Sequence, residues 1–135
     1  MIENASASTS GNDGWGALLA QLTPEVSALV TAADELIRRT DPSAGRVVWP
    51  HQKTVGYGIG PKKMAEHYAY LAVHARHVNL GCNYGARLDD GGLLEGSGQN
   101  MRKMTVRAVD DLTDPRLVPV LQRARQKRLQ SRGRS

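Results

Sequence analysis

The chain has 135 residues, 40% hydrophobic and 23% charged, with a formal net charge of +5 at pH 7. That length suits a single domain with a real core, and the lone cysteine, Cys82, excludes an intramolecular disulfide framework. No apolar run approaches the roughly 20 residues that span a bilayer, and MIENASASTSGNDG lacks both regions of a secretory signal, so a cytoplasmic protein without a membrane partner is expected.

The positive charge is concentrated at one end. Residues 115–135 carry seven Lys/Arg and no acid, while the residues before them hold eleven bases against thirteen acids. A basic, polar end of this kind can touch nucleic acid or fray into solvent. The expected organisation is therefore a disordered tail over 1–12, a domain over 13–125 and a basic C-terminal tail over 126–135.

After the small polar residues 1–12, Asp13 is placed to cap a short helix carrying Trp15, Leu18, Leu19 and Leu22. Thr23-Pro24-Glu25 is a stronger start, with a capping hydroxyl, Pro at the first helical position and an acid facing the helix dipole. Val26, Leu29, Val30, Ala33 and Ile37 then form an apolar stripe that ends before Asp41-Pro42, as expected of a helix that covers a sheet. Five alternating segments follow: Arg46 to Trp49, Thr54 to Ile59, Glu66 to Val73, His77 to Tyr84 and Met101 to Arg107. Turns are expected at Gly60-Pro61-Lys62-Lys63, His74-Ala75-Arg76 and Asp89-Asp90-Gly91-Gly92, and a helical turn at Leu93-Leu94-Glu95. Asp114-Pro115 opens a closing helix striped by Leu117, Val120, Leu121 and Ala124, with Pro119 delaying its start. This order predicts an α+β fold: one curved antiparallel sheet of about five strands packed against N-terminal and C-terminal helices.

Alternation assigns faces. Val55, Tyr57 and Ile59 share one side, and Gly56 and Gly58 leave room on the other for a helix, a second backbone or a ligand. His67, Ala69, Leu71 and Val73 oppose Glu66, Tyr68, Tyr70 and Ala72. Cys82 shares its side with Val78 and Leu80, which makes it a buried thiol rather than a nucleophile. With no Phe in the chain, Tyr57, Tyr68 and Tyr70 supply the aromatic volume, each hydroxyl reaching a polar partner.

No motif assigns an enzymatic reaction. Gly56-x-Gly58-x-Gly60 lacks the βαβ context of a dinucleotide site, and Gly96-Ser97-Gly98 is not followed by the Lys and Ser/Thr of a P-loop. His67, His74 and His77 lie close in sequence, but no HExxH or CxxC pattern completes a metal-ligand set. Lys62, Lys63 and Arg102 beside glycine-rich turns form a candidate anion-binding surface. His51 and Lys53 sit on a loop between strands, where binding groups concentrate. Together with Tyr70, Asn83 and Lys103 they are the candidate ligand-binding residues.

WPHQKTVGYGIGPKKMAEHYAYLAVHARHVNLGCNYGARL, with GLLEGSGQNMRKMTVR after it, resembles the YdhG-like bacterial family of unknown function. Its recurrent features are a VGYG-type strand, a KKM-plus-aromatic strand, an HVNLGF-type strand and a GLLEG strand. Cys82 stands where that family usually has an aromatic, and Lys103 where a His is common. The resemblance implies a compact α+β domain with a curved sheet. Some members are described as frataxin-like iron chaperones, which implies iron as a ligand; in this chain the candidate ligands are His67 and His77 with carboxylates. The reading from the residues is non-enzymatic binding of a small ligand or protein partner on the open sheet surface, with no cofactor. Iron binding is the alternative, and nucleic-acid contact by the basic tail is the second.

Overall fold

A computed structural model of the chain describes residues 14–59, 67–82, 94 and 102–133. Two helices, α1 (Trp15–Leu19) and α2 (Pro24–Thr40), lead into β1 (Gly45–Trp49), β2 (Thr54–Gly58), β3 (His67–Val73), β4 (Val78–Cys82) and β5 (Arg102–Val106). A 3₁₀ turn over Val109–Thr113 and α3 (Leu117–Gly133) close the described chain. The strands form one antiparallel meander in sequence order, so the fold is the single-domain α+β sheet expected. The expected disordered tail, residues 1–12, lies outside the described residues, as do the Lys62-Lys63 turn and the Gly96-Ser97-Gly98 segment.

α2 begins as its sequence dictates. The Thr23 hydroxyl accepts from the Val26 amide at 3.3 Å, Pro24 occupies the first turn, and Arg38 and Arg39 meet the negative end of the dipole. For α1 the cap is Gly14 rather than Asp13. Its φ of +111° suits glycine, and a Cβ there would stand 2.6 Å from the Pro50 ring. α3 starts at Leu117, which puts Pro119 in the first turn, where a missing amide costs nothing. The 3₁₀ turn carries no apolar periodicity. It is set by Asp111, whose carboxylate accepts from the backbone amides of Arg107 and Ala108 at 2.8 and 3.1 Å.

The described helices lie on one side of the sheet. Val48, Val55, Leu71, Leu80 and Met104 form one cross-strand row there, and Val73, Val78 and Val106 another. These rows meet the α2 stripe, with Leu36 added, and Leu117, Val120, Leu121 and Ala124 of α3. Cys82 is fully buried in that core, as its parity requires.

One irregularity reverses the parity expected at the start of β3. Tyr57 pairs with Ala69 but the next residue, Gly58, pairs with His67, so a bulge leaves Tyr68 extra. Tyr68 consequently turns towards the helices and donates to the Asp41 carboxylate at 2.8 Å, while His67 packs on the opposite face over Gly56.

The helix side also holds a buried polar layer. Asp34 on α2 accepts from the Tyr57 hydroxyl at 2.6 Å and from Arg46 at 3.1 and 3.2 Å, and the Arg46 guanidinium stacks on Trp15, 4.4 Å from its centroid. Two turns along, Asp41 accepts from Tyr68, Ser43 and Arg125. Burial and the Asp34 carboxylate push the Tyr57 hydroxyl well above its ordinary range; burial and the Asp41 bond do the same for Tyr68. Burial by itself raises the Asp41 carboxyl, but hydrogen bonds from Ser43 and Tyr68 and the charge of Arg125 outweigh it and hold the group below its usual range.

Candidate functional site

With the helices gathered on one side, the other side of the sheet stays uncovered by them. Its rows run Val47–Gly56–Tyr70–Gly81–Lys103 and Trp49–Thr54–Ala72–Asn79–Thr105. The space expected above the glycines is filled by rings from neighbouring strands. A Cβ on Gly56 would stand 2.5 Å from the His67 ring and 3.1 Å from Trp49, and one on Gly81 would stand 2.2 Å from the Tyr70 ring. Trp49 and His67 meet edge to face, 5.8 Å between centroids. His67 is 5% exposed, whereas Trp49 and Tyr70 are half-buried. The glycines thus let three rings lie low on the sheet, an aromatic floor instead of an empty slot.

The upper end of this face is polar. The β1–β2 turn (50–53) and the β3–β4 turn (74–77) are tied together by the Val73 amide, which donates to the Lys53 carbonyl at 2.9 Å. Lys53 holds φ +53°, a left-handed conformation that costs a non-glycine residue about 1 kcal/mol. The His74 and His77 rings stack at 4.6 Å. His74 Nε2 is 3.2 Å from the Asn79 amide, and Asn79 Oδ1 accepts from the Thr105 hydroxyl at 3.3 Å. Partial desolvation, with His74, Arg107 and Lys103 nearby, lowers the His77 imidazole below its ordinary range.

Charge divides between the two sides. Every described carboxylate belongs to α2, its cap, the 3₁₀ turn or the cap of that turn: Glu25, Asp34, Glu35, Asp41, Asp110, Asp111 and Asp114. Among the described residues the strands of the helix-free face and the 50–53 and 74–77 turns carry no acid. They carry Lys53, Arg76, Lys103 and all four histidines, and Arg107 follows β5 just ahead of Asp110 and Asp111 of the 3₁₀ turn.

The expected ligand-binding residues are only partly brought together. Tyr70 and Lys103 flank Gly81 in one row. His51 and Lys53 sit exposed at the upper end, two strands or more from Lys103. Asn83 lies outside the described residues. Of the anion-binding set, Lys62 and Lys63 also lie outside the described residues, and Arg102 pairs in the Cys82 row on the helix side. His67 and His77 stand at opposite ends of the face, about 20 Å apart at ~3.3 Å per strand residue. Among the described residues no group of three His, Cys, Asp or Glu is placed to hold a metal ion.

The segment expected as a basic tail begins inside α3, which runs to Gly133. Arg128 is 8% exposed and donates to the His67 carbonyl at 2.9 Å; Arg125 pairs with Asp41 at 3.0 Å. Sequence reasoning did not single out Trp49, Asn79, Thr105 or Arg107. The parity of Asn79 and Thr105 with Lys103 was available as a signal, but their pairing needed the strand register.

An open groove of about 470 Å³ runs past Thr105, Asp110, Asp111 and Asp114. Two of these acids are already engaged: Asp111 caps the 3₁₀ turn, and Asp114 binds Arg116 at 2.7 Å, which lowers its carboxyl to about 2. No helix among the described residues is long and apolar enough to cross a membrane. Comparison with protein-family models, with curated proteins and with solved structures finds no match.

Proposed function

We propose that this chain is a non-enzymatic binding domain that takes a small ligand or partner on the helix-free face of its sheet. The observation that carries this reading is the segregation of charge. Four cations and four histidines gather around an aromatic floor, and the described acids lie on α2, at its end and in the segment that follows β5. Such a surface favours an anionic ligand with a flat group. Among the described residues nothing pairs a nucleophile with a base: Cys82 is in the core, and the buried carboxylates are bonded to Tyr57, Tyr68, Arg46 and Arg125.

Membership of the YdhG-like group is part of the proposal, resting on the quoted motifs. The frataxin-like iron role that it brings has less support. The acids of α2 that would serve it include Asp34, which is 4% exposed and already holds Arg46 and Tyr57.

Titration of ¹⁵N-labelled protein with AMP, which offers both a phosphate and a ring, tests the reading. Amide shifts should cluster at Lys53, Tyr70, His77, Asn79 and Lys103, and a Lys53→Ala/Lys103→Ala variant should lose them with its melting temperature nearly unchanged. Shifts confined to α2 and α3 would sink it. Saturable Fe(II) binding that His67→Ala abolishes, without any response to AMP, would favour iron.

A further inference from the structure

Three features of the helix-free face recur wherever proteins hold unpaired nucleotides: a flat backbone floor, rings lying on it, and cations at its rim. Tyr70 crosses Gly81 and lies in the middle strand, so its outer face is offered at the centre of the surface. Trp49 stands two strands away and two residues further up, about 12 Å from Tyr70 by strand spacing and rise. Both rings are half-buried, anchored yet accessible. Lys53, Arg76 and Arg107 project from three separate chain turns at the upper rim, all exposed, and Lys103 flanks Tyr70 across Gly81. None of these four is ion-paired to a described carboxylate.

From this juxtaposition we infer that the occupant of the face is a single-stranded nucleic acid, with bases stacking on Tyr70 and Trp49 and phosphates tracking Lys103, Lys53, Arg76 and Arg107. The inference rests on the binding-face reading above and names its ligand class. A duplex is disfavoured by the geometry. Its bases are closed to stacking, and a floor of rings lying flat on the sheet offers no helix or ribbon to enter a groove. The basic C-terminal segment is the weaker site for the same ligand, because Arg125 and Arg128 are turned to Asp41 and the His67 carbonyl.

Fluorescence anisotropy with uridine and thymidine oligonucleotides of about twelve residues tests it and separates an RNA from a DNA strand. If all four cations meet phosphates, affinity should fall about 50-fold between about 50 and about 200 mM salt, since a single strand gives a log–log slope of about −0.7 per neutralised phosphate. Lys53→Ala/Lys103→Ala should reduce that fall to about 7-fold. Tyr70→Leu should weaken binding by at least about 5-fold at every salt concentration without changing the slope. Tyr70→Phe, which keeps the ring, should bind like the parent and shows that loss in the Leu variant is not misfolding. Lys127→Ala, on the exposed side of α3, should change nothing.

Equal affinity for a duplex of the same length, equal affinity of the Tyr70→Leu variant, or loss on Lys127→Ala alone would each overturn the inference. So would oligonucleotides that bind no more tightly than AMP. In that last case AMP shifts on the face would leave the binding-face reading standing, whereas no AMP shifts on the face would remove both.

Discussion

Gly56 and Gly81 look alike in sequence, each alternating with apolar residues on a strand, but the rings above them differ in freedom. The His67 ring over Gly56 is 5% exposed and wedged against Trp49, and the His67 carbonyl is bonded to Arg128. The Tyr70 ring over Gly81 is half-exposed and meets the missing Cβ only with its far end. Gly56→Ala should therefore destabilise by about 2 kcal/mol, because a buried ring must be displaced. Gly81→Ala should cost less than about 1 kcal/mol, since Tyr70 can swing to solvent. Urea unfolding of the two variants checks this, and equal losses would mean that the rings are equally mobile. Adding Tyr70→Ala to Gly81→Ala should remove most of the penalty, the sign of a direct clash. Alternation made the glycines visible in the sequence and puts Tyr70 on the face of Gly81; that His67 fills the space above Gly56 depends on the bulge at Tyr68, which alternation does not announce.

At the scale of elements, α2 shows both what is legible in a sequence and what is not. Its start, end and apolar stripe follow from Thr23-Pro24-Glu25 and the spacing of Val26 to Ile37, and the structure has them there. The five strands fall within one or two residues of the alternating segments, because burial of one face enforces a period of two. Asp34 was different. On the sequence it is one more acid on a solvated face; in the fold its neighbours are Arg46 and Tyr57, which only the packing of α2 on β1 and β2 supplies. Asp34→Ala leaves that guanidinium, 13% exposed, and a buried hydroxyl without their shared acceptor. It should cost about 3 kcal/mol in urea unfolding. Arg38→Ala removes the other partner, which is 54% exposed, and should stay within about 0.5 kcal/mol. A comparable loss in both would show that the layer depends on the surface pair rather than on the buried one.

At the scale of the whole molecule, the site was the least legible part, because its charge is assembled from hairpin ends far apart in the chain. The sequence concentrates its bases after residue 115, yet two of those arginines serve α3 docking, and the candidate face draws on Lys53, Arg76, Lys103 and Arg107. The same division of groups sets how stability depends on pH. Asp41 titrates lower in the fold than in the unfolded chain, so its contribution is full above about pH 4 and is lost as pH falls through the lowered value. Tyr57 and Tyr68 titrate higher in the fold, so theirs is full below about pH 10 and is lost above it. His77, facing His74, Lys103 and Arg107, is lowered as well, which adds a shallow decline below about pH 6.5. The melting temperature should therefore be flat from about pH 7 to about pH 10, dip slightly towards pH 5, and drop steeply below about pH 4. Asp41→Asn should lower the plateau and flatten the acid limb, since the variant has no carboxylate left to protonate at that position. An acid limb as steep as the parent's would move the acid sensitivity of the fold away from the Asp41–Tyr68–Arg125 cluster.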